Sequence, residues 1–217
     1  MSYVLNIPEH VNELSLEAYQ QVQALKNPTD SKVLKTLFGL SPKDLSKIPL
    51  KDVKKINAKI NKLFHDEADF VIRFKIDDVE YGFIPNLDNI TYGENKDIAT
   101  YLGKWKDMHK AMAVMYRPVI ARVKDKYEIE AYEGSSKYAE IMKKAPLGVV
   151  LGSMIFFCRL TNELAIYIQS YLETESTLLQ SPEVLVESGE QLRNYILSLR
   201  ETFDDLTKSL NCAFTYV

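Results

Sequence analysis

The chain has 217 residues, 46% hydrophobic and 26% charged, with a net charge of −3 at pH 7. That length allows one well-buried core, or one core with an appended arm, and that charge sets up no global field toward nucleic acid or an anionic membrane. Cys158 and Cys212 are too few for a disulfide framework, and MSYVLNIPEH lacks the basic and apolar regions of a signal peptide, so a reduced, cytosolic protein is expected.

Residues 3–7 predict a short strand stopped by Pro8. Ser15 offers an N-cap for a helix through Leu25, closed by Asn27-Pro28. Ser31 is expected to open a second helix, with Val33, Leu34, Leu37 and Phe38 on one side and Gly39 at its end. Ser41-Pro42 starts a short helix by the cap-then-proline rule. Pro49 precedes another helix to about Phe64, whose buried stripe is Val53, Ile56, Ile60 and Leu63.

Val71, Arg73 and Lys75 alternate with Ile72, Phe74 and Ile76, the period of a half-buried strand. Asp77-Asp78 makes the turn and Glu80 to Ile84 returns as the second arm, ended by Pro85. With an extended piece at Tyr127 to Ala131, these segments predict a small antiparallel sheet of about three strands. A central helix is expected from Lys104 until Arg117-Pro118, carrying Trp105, Met108, Met112 and Met115. At three-and-four spacing such residues line a core, although methionines also suit a pliable binding groove.

A long helix is expected over Pro146 to Leu172, with Leu147, Leu151, Met154, Cys158, Ala165, Ile168 and Leu172 on one line. Its apolar run, Leu147 to Cys158, is shorter than the about 20 residues a membrane span needs and reads as a buried helix. Gly148 and Gly152, one turn apart, would let another backbone approach. Glu173 to Glu190 carries five glutamates and no basic residue and reads as a connector. Beyond it, Leu192, Ile196, Leu199, Phe203, Leu206 and Leu210 form an a/d seam that demands a facing helix, from this chain or from a second copy.

No chemistry announces itself. No nucleophile stands beside a base, no glycine loop could cradle a phosphate, and no HExxH, ExxH or CxxC is present. Asp66, Glu67 and Asp69 cluster near His65, but Asp107 and His109 would point about 200° apart on a helix. Neither catalytic residues nor a metal or other cofactor is expected. The Lys32–Lys62 segment holds nine lysines against Asp44 and Asp52, in helix–Gly turn–helix spacing. A helix-turn-helix reads bases with side chains near the start of its second helix, and here that helix opens Ser-Pro-Lys-Asp-Leu. A solvated lysine face is the simpler expectation.

Several segments together resemble a family of uncharacterised tailed-bacteriophage proteins. They are NELSLEAYQQV, the LFGLS turn, RFKIDDVEYGFIPNLDNITYGE, WKDMHKAMAVMYRPV, YEIEAYEG and APLGVVLGSMIFF. The similarity covers about residues 3–172, and FIPNLDNITYGE and MHKAMAVMYRP are its specific pieces. Glu94 to Ile98 departs from it, where a tyrosine and a more acidic run would stand, and the chain beyond Glu173 looks peculiar to this protein.

The resemblance implies a non-enzymatic role in tail or virion assembly, first of all as a tail assembly chaperone. Such a protein would hold tape-measure, tube or other virion proteins in the cytoplasm of the infected host. A virion structural component, and a nucleic-acid-binding accessory protein using Lys32–Lys62, are the alternatives. The expected architecture is α+β and predominantly helical. Residues 1–172 form the main domain around a hairpin at 70–85, and 173–217 form a connector and a C-terminal helical arm suited to homo-oligomer contact.

Overall fold

The computed structural model describes residues 6–65, 68–160 and 163. The fold is α+β and predominantly helical, with a four-stranded antiparallel sheet. Helix α1 (Leu16–Gln23) begins where Ser15 accepts a hydrogen bond from the Ala18 amide, the cap expected at that position. Helix α2 (Asp30–Phe38) starts one residue earlier than Ser31, with Thr29 as its cap residue, and Gly39 ends it. Helix α3 (Pro42–Leu45) is capped by Ser41, and α4 (Leu50–His65) follows Pro49. Leu34, Ile56 and Ile60 close a small core between α2 and α4. The strand expected at 3–7 lies largely outside the described residues, and Asn6 and Ile7 are not in a strand.

Strands β1 (Arg73–Ile76) and β2 (Val79–Phe83) pair around Asp77-Asp78, and Asp77 takes the left-handed φ of 52° that aspartate tolerates. Next come α5 (Tyr92–Tyr101), a 3-10 turn at Trp105–Asp107, and α6 (Met108–Met115). The chain then turns directly into β3 (Tyr116–Val123), which pairs with β2 and with β4 (Lys126–Ile129).

This corrects the expected central helix: Arg117-Pro118 lies inside a strand, and the sheet has four strands, not three. Proline is tolerated there because of register. Ile84 donates to the Met115 carbonyl at 3.0 Å, so Tyr81 and Pro118 form a non-hydrogen-bonded pair that asks no amide of residue 118. The other side of residue 118 faces Glu130, just past the end of β4, where the Pro118 carbonyl accepts at 2.9 Å and no amide is returned.

Helix α7 (Ser136–Met142) packs on α6, and α8, residues 147–160, carries Leu147, Val150, Leu151 and Met154 into the main core. Gly152 is where α8 meets backbone. A Cβ there would lie 2.2 Å from the Asp69 carbonyl oxygen, so only glycine permits the approach. At Gly148 the neighbours are side chains, Asn12 and Val11. The entry to α8 is stitched to the N-terminal segment by Leu147 N–H to Leu14 O, 2.8 Å, and Leu16 N–H to Ala145 O, 2.9 Å. Across the sheet, the Tyr116 hydroxyl donates to the Val71 carbonyl at 2.6 Å and lies 2.8 Å from Ser153 Oγ on α8. No helix among the described residues is long and apolar enough to cross a membrane.

Candidate functional site

The choice between core and groove for Trp105, Met108, Met112 and Met115 falls to core. All four are buried, the three methionines completely. Helix α6 is buried over residues 111–115 because α5, α7 and the sheet surround it, and only His109 and Lys110 of its first turn are polar. Trp105 belongs to the 3-10 turn ahead of the helix, and its ring meets Tyr19 edge-on at 4.6 Å. Gln20 locks this corner by donating to the Trp105 carbonyl at 2.5 Å and to His109 Nδ1 at 3.1 Å.

Asp107 and His109 do face different targets. Asp107 binds Lys110 at 2.7 Å, which holds its carboxyl below the usual range. Burial, joined by the nearby Lys143 and Lys110, lowers His109. Among the described residues no group of three or more His, Cys, Asp or Glu side chains is placed to hold a metal; Asp66 and Glu67 lie outside them. Burial pushes the Cys158 thiol up to about 11, where it is an inert apolar group.

The principal buried polar centre is one that no catalytic or metal motif announces. Thr91 and Glu94 form a capping box at the start of α5, with Glu94 Oε2 accepting from both the Thr91 amide and its hydroxyl at 2.7 Å. The other carboxylate oxygen lies 2.5 Å from Arg117 Nη1, and both side chains are buried. Arg117 also donates to the Val114 carbonyl at 3.3 Å, and its guanidinium stacks 5.4 Å from the Tyr132 ring. Tyr132 in turn donates to Asp97. Burial alone would raise the Glu94 carboxyl, but the bonds from Thr91 and Arg117 outweigh it and the net direction is down. The Thr91-x-x-Glu94 spacing was the available sequence signal. Thr91, Glu94 and the Nη1 of Arg117 hold α5 to the sheet, and Arg117 Nε is enclosed without a hydrogen-bond partner.

Gly82 positions the neighbouring part of this sheet face. It sits between Arg73 and Arg117 across the ladder, and the Tyr127 ring occupies the space a Cβ would take, 2.5 Å from that point. The Tyr127 hydroxyl donates to the Phe83 carbonyl at 2.7 Å, and the Arg73 guanidinium stacks 5.4 Å from its ring.

The lysine segment is surface. Lys51, Lys54, Lys55, Lys59 and Lys62 are all exposed on α4, opposite Ile56, Ile60 and Leu63. The C-terminal seam of Leu192, Ile196, Leu199, Phe203, Leu206 and Leu210 lies outside the described residues, as do Ala165, Ile168 and Leu172 of the expected long helix. No protein-family profile, no curated protein and no solved structure matches the chain.

Proposed function

We propose that the chain is a non-enzymatic protein-binding factor in bacteriophage tail or virion assembly, acting as a tail assembly chaperone in the host cytoplasm. One observation supports this reading above the others. The two specific segments of the resemblance, FIPNLDNITYGE and MHKAMAVMYRP, meet in space where Phe83 pairs with Tyr116 and Ile84 donates to the Met115 carbonyl at 3.0 Å. The segments that carry the resemblance therefore build one scaffold.

The test is co-expression with the tape-measure and tube proteins of the phage genome that encodes it. The reading expects a soluble complex with one of them that is absent from purified virions. Presence at fixed copy number in virions would make the chain a structural component. Failure to bind any virion protein would reject the reading.

The exposed lysines of α4 favour a second reading, a nucleic-acid accessory protein. Phosphate contacts would give affinity for duplex DNA that falls steeply with salt.

A further inference from the structure

The sheet has an open edge at β1, since no described strand pairs with it on the side away from β2. Phe83 donates to the Ile72 carbonyl at 2.9 Å, so 72/83, 74/81 and 76/79 are the hydrogen-bonded pairs of the β1–β2 ladder. Arg73 and Lys75 are in the alternate pairs, and their backbone N–H and C=O groups point outward along the open edge.

Their side chains share one face of the sheet. Lys75 stands across from Glu80, but Arg73 stands across from Gly82 and has no acidic partner among the described residues. Its guanidinium is half-buried against Tyr127, and its Nη1 is enclosed without a hydrogen-bond partner. On the other face Ile72, beside the same edge, is 52% exposed. An enclosed guanidinium nitrogen without a hydrogen-bond partner is costly, and an exposed isoleucine at an open edge invites pairing.

We propose that the β1 edge is a strand-addition site for an extended segment of a partner protein with alternating acidic and apolar residues. Main-chain bonds to Arg73 and Lys75 supply the pairing, a carboxylate opposite Arg73 supplies the missing counter-charge, and an apolar side chain covers Ile72. A second copy is a poor occupant. Antiparallel β1–β1 pairing would set Arg73 and Lys75 against the same two cations of its partner, and like charges directly opposite are destabilising. The inference rests on the protein-binding reading above and gives the partner's chemistry, but it does not depend on the phage setting.

The test uses the isotopically labelled full chain and a blocked octapeptide alternating glutamate and valine. The Arg73 and Lys75 amides should exchange freely in the isolated chain and become protected with peptide. Arg73→Gln should weaken binding about tenfold, the equivalent of one charge-assisted bond. Lys75→Gln, at an exposed position that does not threaten folding, should weaken it a few-fold, and a lysine–valine octapeptide should not bind. Absence of binding, affinity unchanged in both variants, or amides already protected in the isolated chain would each overturn the proposal. Loss of peptide binding alongside an intact complex with a virion protein would reject the edge and leave the assembly reading standing.

Discussion

Glu94 and Arg117 form a buried ion pair, 2.5 Å between Oε1 and Nη1, that ties the first turn of α5 to the second residue of β3. Removing one partner of such a pair leaves the other charge buried and costs about 3–5 kcal/mol. Glu94→Gln and Arg117→Met should each lower urea stability by that order, and the double variant should recover part of the loss. Single variants as stable as the parent would show that the pair is not the anchor.

The same pair sets an acid limit. The folded-state carboxyl of Glu94 is lowered relative to the unfolded chain, so its stabilisation is fully present above the ordinary glutamate range. It is lost as pH falls through the lowered folded value. Unfolding free energy of the parent should drop across that acidic window, and Glu94→Gln should drop less. Parallel pH profiles would rule out this contribution.

Trp105 should emit with a blue-shifted maximum, because its ring is buried and packed edge-on against Tyr19. Trp105→Ala should cost roughly 3–5 kcal/mol, the range for removing a large core aromatic. Emission at the position of the unfolded chain would contradict the packing.

Gly152 and Gly148 separate two kinds of close contact. Alanine favours a helix over glycine by about 1 kcal/mol, whereas overpacking costs about 1–3 kcal/mol. Gly152→Ala drives a methyl into the Asp69 backbone and should destabilise. Gly148→Ala meets side chains of Asn12 and Val11 that can rotate away, and should come out milder. Thermal melts followed by circular dichroism decide the order, and the reverse order would contradict the α8 docking.

Reversing Lys54, Lys55 and Lys59 to glutamate should leave folding intact, within about 0.5 kcal/mol per site, as at exposed positions generally. A gel shift with duplex DNA at ~0.15 M salt should show no specific complex. Tight, sequence-selective retention would promote the nucleic-acid reading.

Much of this fold is legible where local chemistry and burial agree. Ser15 and Ser41-Pro42 mark helix starts by their own capping bonds, and the alternation from Arg73 to Ile76 survives as β1 because one face packs on the core. Strand β3 is hidden because its signal runs on from the apolar end of α6, residues 111–115, and Pro118 reads locally as a stop. Its non-hydrogen-bonded place opposite Tyr81, together with the end of β4 at Ile129 on its other side, makes it compatible with the sheet, and both are tertiary facts. Helix α5 is faint for another reason: its segment buries little besides Glu94 and Ile98, so no apolar stripe announces it. The open β1 edge is invisible to periodicity, since alternation gives the faces of a strand but not which of its edges is paired.

The proposed assembly role is tested most directly by light scattering on the full chain mixed with each separately produced tape-measure or tube protein encoded beside it. The account predicts a discrete complex with a tape-measure or tube protein that keeps that protein soluble, with no dependence on nucleic acid. If the chain stays at its own mass with every tail protein and shifts only when duplex DNA is added, the assembly reading is wrong.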